Sequence, residues 1–262
     1  MTDVAAAPPT RVGPLLRDWR RRRRVSQLDL ALGAGVSARH VSFVETGRAR
    51  PSADMVLRLA EQLDVPLRDR NGLLLAAGYA PAYGRRGLDE PEMGAVREVI
   101  DAVLRGHEPY PAVVVDRHWG LVAGNAAIAL LTEGVAAELL EPPVNVLRLS
   151  LHPDGLAPRI ANLGQWRAHV LGRLGRQAVA TGDPALAALH EELAALPGGE
   201  EPEPPGAAIA VPLRVRAGGE VLSFLTTMTT FDTAADVTVA ELAIESFFPA
   251  DRITSEVIDR RG

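Results

Sequence analysis

The sequence contains no cysteine and no lysine. Without cysteine the chain has no disulfide, no thiolate metal site and no cysteine nucleophile. Without lysine it has no Schiff-base chemistry and no P-loop lysine for binding phosphate, and all 28 basic residues are arginine. Whatever positive charge the protein uses is therefore guanidinium charge, which stays protonated at any physiological pH.

Long apolar runs are also missing. No run approaches the about 18 residues of a membrane-spanning helix, and the start "MTDVAAAPPT" lacks the pattern of a signal peptide. We therefore expect a cytoplasmic protein without membrane contact. A nucleophile elbow, a Gly-rich phosphate loop and a catalytic carboxylate pair are not recognisable either, so an enzyme is not expected.

The charge that is present is divided unevenly. Residues 1–88 hold 15 arginines against 8 acidic residues, a balance of +7, whereas residues 89–262 hold 13 against 25, a balance of −12. The formal net charge of −5 hides this division. A basic N-terminal region on an acidic chain suggests a polyanionic partner for that region alone, although a charge run is often only a solvated surface.

The N-terminal region has the pattern of five short helices. Ser26, Ser37 and Ser52 each precede an amphipathic stretch and predict helix N-caps. The stretch "SQLDLALGAGVSARHVSFVETG" contains two such helices joined by a Gly-containing turn, which is the pattern of a helix-turn-helix. The competing interpretation is an ordinary helical hairpin whose second helix faces solvent.

The second helix of this pair favours DNA. Polar and small residues occupy its first turns, where a recognition helix contacts base edges, and Arg39 has the bidentate geometry that guanine requires. The helix N-termini suit phosphate oxygens, and the arginines beyond the helix suit the DNA backbone. The predicted DNA-binding residues are Ser26, Gln27, Ser37, Ala38, Arg39, His40, Ser42, Phe43, Arg48 and Arg50.

Residues 12–78 resemble the XRE, or lambda-repressor-like, family. The match includes "SQ" at 26–27, "AGVS" at 34–37, "ETGR" at 45–48 and the final "LLLAAG". The resemblance implies a structural ion pair between Arg20 and Glu45. The first recognition positions, Ala38 and Arg39, depart from the Gln or Asn that the family often has, so no operator sequence is carried over.

The C-terminal region has a different pattern. Two short strands, "AVVVD" and "WGLVAG", precede helical segments at 125–140 and 157–195, and three strands follow, the last being "VTVAELAIESFF" at 237–248. Two strands, a helical middle and three strands is the chain order of a PAS-like domain, an antiparallel sheet that holds a pocket against helices. The expected fold class is thus α followed by α/β: five helices, then a five-stranded PAS-like sheet with helices.

Residues 109–252 resemble the ligand-binding domain of MmyB-like regulators. The resemblance rests on "VVVDRHWGLVAGNAA", "NVLRLSLHPDGLAPRIANLGQW", "DPALAALHEEL" and the stretch from Leu222 to Asp251. It implies a small effector of fatty-acid or acyl type in an apolar pocket. The expected boundaries are a tail (1–11), the helix-turn-helix domain (12–78), a linker (79–91), a connecting helix (92–106), the PAS-like domain (107–252) and a tail (253–262).

We expect a homodimeric regulator that binds operator DNA and a small apolar ligand. The alternative is a DNA-bound scaffold whose PAS-like domain docks a protein and holds no small molecule, because such folds serve both uses. The predicted ligand-binding residues are Trp119, Asn125, His152, Arg159, Asn162, Trp166, Phe224 and Met228. No cofactor or metal is expected, the less favoured alternative being haem or metal bound through His118 or His152.

Overall fold

The computed structural model describes residues 12–199, 201 and 210–260. The chain divides into two compact units, a head unit and a body unit. The head unit contains the residues up to Arg86 together with Thr233–Ala240, and the body unit contains Gly87–Asp232 and the residues from Glu241 onward. The predicted N-terminal tail, residues 1–11, lies outside the described residues, as does most of the acidic stretch at 200–209.

The head unit begins with the five predicted helices, which the structure confirms. They are α1 (Val12–Arg22), α2 (Gln27–Gly33), α3 (Ala38–Glu45), α4 (Ala53–Gln62) and α5 (Leu67–Ala76). The three predicted N-caps are also confirmed, because the side chains of Ser26, Ser37 and Ser52 each accept a hydrogen bond from the backbone N–H three residues further on. Each cap satisfies one of the N–H groups that a helix start leaves unpaired.

The head unit packs α1 tightly against the end of α3. Leu16 of α1, Leu30 of α2 and Val44 of α3 share one apolar core and are almost fully buried. Gly13 makes this approach possible, because a Cβ atom at that position would lie 2.4 Å from the carbonyl oxygen of Val44. The position therefore requires a residue without a side chain.

The body unit is built on a five-stranded antiparallel sheet in the order β2-β1-β5-β4-β3. The strands are β1 (Ala112–Val115), β2 (Leu121–Gly124), β3 (Leu213–Ala217), β4 (Glu220–Thr230) and β5 (Ala243–Pro249). The predicted number of strands and the two hairpins, β1–β2 and β3–β4, are confirmed. Because β1 pairs with β5, the two hairpins are joined into one sheet through the last strand.

Helices cover both faces of this sheet. They are α6 (Gly94–Gly106), α7 (Ala129–Thr132), α8 (Ala137–Leu140), α9 (Val146–Leu151), α10 (Leu163–Thr181) and α11 (Pro184–Ala195). Ile100 and Leu104 of α6 pack on Val114, whereas Val113 and Val115 point into the main core with α10 and α11. The helical stretch predicted at 125–140 forms two short helices, α7 and α8, instead of one continuous helix. None of the described helices is both long and apolar enough to span a bilayer.

The connection between β4 and β5 corrects the predicted last strand. Residues Val237–Ala240 form a short helix, α12, and β5 begins only at Ala243. This connection belongs to the head unit: the N–H of Val237 donates to the carbonyl of Gly84 at 2.8 Å, and Arg86 pairs with Asp236 at 3.2 Å. The buried side chains of Val237 and Val239 explain why the apolar alternation looked like a strand.

The C-terminal residues predicted as a tail form a helix instead. Helix α13 (Arg252–Asp259) is capped by Asp251, whose carboxylate accepts from the N–H of Thr254. Val257 and Ile258 are buried in the main core, and the hydroxyl of Thr254 accepts from the N–H of Ser223 at 2.8 Å. Thr254 of α13 thus satisfies the backbone N–H of Ser223, which lies on β4 just before the residues that pair with β5.

Candidate functional site

The exposed side of α3 collects most of the predicted DNA-binding residues. Val41 and Val44 anchor the helix in the head core with about 1% of their surface exposed. The opposite side presents Arg39, His40 and Ser42, which are exposed or half-buried. Because an α-helix places residues three and four apart on one face, Arg39 and Ser42 lie on the same side of α3, with His40 next to them. A helix with one anchored side and one polar side can enter a DNA groove without disturbing its own core.

Two guanidinium groups lie near the ring of Phe43 on this surface. The Arg39 guanidinium is 5.2 Å from the centre of the Phe43 ring and that of Arg48 is 5.9 Å from it. A cation over an aromatic face is attracted to the ring, so the ring holds both long side chains near one place. The backbone of Arg48 is fixed too, since its N–H donates to the Phe43 carbonyl at 2.8 Å. The two arginines therefore form one ordered, positively charged surface with Phe43 at its centre.

The remaining predicted residues also have partners within the head unit. Ser26 caps α2, and its hydroxyl donates to Asp29 at 2.6 Å. The Gln27 amide donates to Glu45 at 2.8 Å. Arg50 donates to the Ala77 carbonyl at 3.4 Å and lies over the Tyr79 ring. Of these three residues, Gln27 contacts α3 through Glu45, and each of the three is held by a partner within the head unit.

Glu45, at the end of α3, joins three helices through one carboxylate. Arg20 of α1 donates to it from Nε at 2.6 Å and from Nη2 at 3.0 Å, and Gln27 of α2 donates to the same group. Burial opposes the ionisation of Glu45, but the hydrogen bonds from Arg20 and Gln27 outweigh it and hold the pKa of the carboxyl below its ordinary value. The ion pair that the resemblance implies is thus present, and it fixes the orientation of α3.

Much of the arginine run at 20–24 is used inside the head unit. Arg20 pairs with Glu45, and Arg22 lies 4.5 Å from the centre of the Trp19 ring. Arg23 donates to the carbonyls of Leu63 and Asp64 at 2.9 and 2.8 Å, at the end of α4. A cation there also interacts favourably with the helix dipole. The excess of arginine in this region therefore overstates the charge available to a polyanion.

The body unit contains an apolar cavity between the sheet and the helices. The space inside it that can hold a water-sized molecule is about 80 Å³, which is less than the roughly 300–1,000 Å³ of a typical small-molecule site. Its walls come from four strands and from α7, α9 and α10, and its aliphatic and aromatic lining residues include Val113, Leu121, Ile128, Leu131, Val146, Leu147, Leu156, Trp166, Leu213 and Phe247.

Two charged side chains line this otherwise apolar cavity. Arg173 of α10 donates from Nη1 to Glu245 of β5 at 3.3 Å, and its guanidinium lies 4.2 Å from the centre of the Trp119 ring. Burial raises the pKa of the Glu245 carboxyl, and the neighbouring Arg173 offsets this only in part. Sequence reasoning missed both residues. Glu245 had one available signal, since a lone carboxylate interrupts the apolar stretch "LAIESFF".

The predicted ligand-binding residues lie in different places. Trp166 lines the cavity, and Trp119 stacks on Arg173 beside it. Phe224 is fully buried against Phe247 with ring centres 6.3 Å apart, and Met228 is 40% exposed. Neither of these two residues of β4 lines the cavity.

The four predicted polar ligand residues hold the backbone of the body unit together. Asn125 and Asn162 join separate chain segments through backbone hydrogen bonds, and Arg159 donates to the carbonyls of Leu130, Glu133 and Arg216. His152 accepts at Nδ1 from the Asp154 N–H. Residues of this kind attract notice in a sequence because they are polar within apolar stretches, and structural hydrogen bonding explains that placement equally well.

The histidines proposed for haem or metal are engaged with protein groups. His118 Nε2 lies 2.9 Å from Asp183 Oδ2, in a cluster with Arg117, which pairs with the same carboxylate at 2.6 Å. Within the described parts of the chain, His, Asp and Glu side chains form no group of three that could hold a metal ion.

Comparison with known proteins gives one match in the N-terminal part of the chain and another in the C-terminal part. Residues 96–260 match the family model described as the MmyB-like transcription regulator ligand binding domain, and residues 16–69 match a helix-turn-helix model. The chain is also similar to an uncharacterized HTH-type transcriptional regulator, RghRB, of Bacillus subtilis (strain 168). The two are 33% identical over 102 residues, which cover 38% of this chain and 71% of that protein.

Proposed function

The chain belongs to the family of MmyB-like transcription regulators, and on that premise we propose how its two parts act. The helix-turn-helix of the head unit reads an operator, and the PAS-like body unit binds a small apolar ligand of fatty-acid or acyl type that changes operator affinity. The protein acts in the cytoplasm as a homodimer. Two copies of α3 then meet half-sites about 10 base pairs apart, or a multiple of that spacing, because each needs the same face of the groove.

The surface formed by Arg39, Phe43 and Arg48 supports the DNA-binding half of this proposal. Arg39 lies in the first turn of α3, where recognition helices contact base edges, and its stacking on Phe43 keeps the guanidinium near one position. Ordering the side chain before binding reduces the entropy lost on contact. A guanidinium so placed can donate two parallel hydrogen bonds to guanine.

Replacing Arg39 by alanine is expected to weaken binding to the selected operator by about 1–3 kcal/mol and to relax preference at one base position. Arg48→Ala is the matched control, since it removes the same charge from a second guanidinium that lies near the Phe43 ring. Arg48 lies beyond α3 and suits the phosphate backbone, so its loss should weaken all sequences alike and reduce the salt slope by about one unit.

The measurement is fluorescence anisotropy with a selected operator and with random DNA, at several salt concentrations. Equal losses of affinity for the two DNAs in Arg39→Ala would contradict a base-reading role for this residue. A change of base preference in Arg48→Ala would assign base reading to Arg48 and the phosphate contact to Arg39.

The cavity between the sheet, α9 and α10 supports the ligand-binding half. Val146 is one of its apolar wall residues, so Val146→Trp is expected to fill the space and reduce binding of decanoate at least tenfold, while DNA binding by the unliganded protein persists. Val179→Trp is the control, because Val179 lies on α10 with 73% of its surface exposed.

Calorimetric titration and native mass spectrometry of the purified full chain measure both effects and the oligomeric state. If no alkyl compound binds the parent protein, the ligand half of the proposal is wrong and the body serves as a scaffold for protein docking. Equal binding by the two tryptophan variants would instead exclude this cavity as the site.

A further inference from the structure

Phe43 is an apolar side chain on the polar side of α3. The head core takes Val41 and Val44 from this helix and, among the described residues, does not include Phe43. The ring is half-buried, and the guanidinium groups of Arg39 and Arg48 lie 5.2 and 5.9 Å from its centre. Leaving part of a large apolar ring in water gives up favourable burial, which a contact with DNA would recover.

Phe43 lies one helical turn after Arg39. Residues four apart share one face of an α-helix, and a rise of about 1.5 Å per residue separates them by about 6 Å along the axis. Neighbouring base pairs of DNA are stacked about 3.4 Å apart. A base that contacts Phe43 therefore lies within about two base pairs of the guanine that Arg39 is proposed to read.

The chemistry of phenylalanine restricts what it can recognise in the major groove. Its side chain has no hydrogen-bond donor or acceptor, so it cannot read the donor and acceptor pattern of the base edges. The C5 methyl group of thymine is the apolar group that this groove presents. Ala38, the first residue of α3, is also apolar, but it packs against the head core. Phe43 is therefore better placed than Ala38 to contact a methyl group.

We infer that Phe43 contacts the C5 methyl group of a thymine within about two base pairs of the guanine read by Arg39. This inference rests on the proposed function of α3 as the helix that reads the operator. Only one strand of a T·A pair carries the methyl group, so the contact distinguishes T·A from A·T and from both orientations of G·C. Arg39 supplies hydrogen bonds and Phe43 an apolar contact, and together they specify two base pairs from one face of α3.

Exchange of thymine for uracil tests the contact, because uracil pairs as thymine does and lacks only the methyl group. The full chain first selects duplexes from a randomised library, and the same selection with Arg39→Ala identifies the guanine by the base preference that is lost. Each thymine within about two base pairs of that guanine is then replaced by uracil, and affinity is measured by fluorescence anisotropy. One of these replacements should weaken binding by the parent protein about fourfold for each half-site, the effect of one buried methyl group.

Variants at position 43 separate a methyl contact from an effect on the arginines. In Phe43→Ala the thymine and uracil duplexes should bind equally, whatever the overall loss of affinity. Leucine has no aromatic face for a cation but remains apolar, so Phe43→Leu should keep a preference for thymine of about twofold or more. Leu75→Ala, an exposed apolar change on α5, should keep the full preference of the parent protein.

The outcomes distinguish this inference from the proposed function. If the selection enriches no sequence, operator reading by α3 is wrong and the methyl contact with it. If a sequence is enriched but has no thymine near the guanine, or if uracil binds as well as thymine, the methyl contact is wrong while operator reading stands. The same holds if Phe43→Ala keeps the preference for thymine. A parent protein without that preference, together with weaker binding of all duplexes by Phe43→Ala, would assign the ring only to holding Arg39 and Arg48.

Discussion

Glutamine in place of Glu45 is expected to lower the free energy of unfolding of the head unit by about 3–5 kcal/mol, the usual cost of breaking a buried ion pair by changing one partner. Glu45 is 4% exposed, and its carboxylate receives three hydrogen bonds from Arg20 and Gln27. Glutamine cannot accept at both oxygen positions, so one guanidinium donor of Arg20 would face an amide N–H.

Hydrogen exchange of the full chain localises this effect. Amides of α2 and α3 should exchange faster in Glu45→Gln, while those of β3 and β4 serve as an internal reference. Glu61→Gln, on the exposed side of α4, is the matched control. Unchanged exchange with lost DNA binding would assign Glu45 to the DNA interface instead of the fold.

The same residue links the stability of the head unit to pH. The pKa of Glu45 is lower in the folded head than in the unfolded chain, so its stabilising contribution is present above the ordinary glutamate pKa and is lost as the pH falls through the lower folded value. In acid titrations, Glu45→Gln should therefore show a weaker loss of head stability than the parent protein.

Alanine in place of Gly13 should destabilise the head unit by about 3 kcal/mol, as expected when an added methyl group has no space in a packed core. The new Cβ would lie 2.4 Å from the Val44 oxygen and 2.7 Å from that of Glu45. Both are backbone atoms, which cannot rotate away as a flexible side chain does. Relief requires α1 to move off α3, and that movement also stretches the Arg20–Glu45 pair.

Gly72→Ala provides the opposite expectation from the same chemical change. Gly72 lies within α5, and nothing would lie within 4 Å of its added Cβ. Alanine there should stabilise the helix by about 0.5–1 kcal/mol, because it restricts the unfolded chain. Chemical denaturation of both variants measures the difference, and a Gly13→Ala protein as stable as Gly72→Ala would show that α1 and α3 are loosely packed.

Most of the head unit was predictable because its signals are local. A serine followed by a helical pattern specifies an N-cap within three residues, and Ser26, Ser37 and Ser52 all behave so. The inward role of Arg23 was not predictable in the same way. An arginine within a run of five has no local feature that separates a helix-capping side chain from a solvated one.

In the body unit, local sequence signals predict the strands but not the cavity. Strand number and hairpins followed from alternation and turn residues, but the cavity depends on which strand faces which helix across long stretches of chain. Arg173 is one of 28 arginines, and its sequence context does not distinguish it from the others. Phe224 is large and apolar, and this property suits a pocket wall and a core position equally, so the sequence does not separate the two.

The head unit is discontinuous in sequence, and this has a consequence for how the protein is made. Its first five helices are complete when residue 86 has been synthesised, but the segment Thr233–Ala240, with the buried Val237 and Val239 of α12 and the partner of Arg86, comes from between β4 and β5. A nascent chain therefore leaves the ribosome with an unfinished head unit, and finishing it waits for nearly all of the body unit. A fragment ending before residue 233 would preserve that unfinished state permanently.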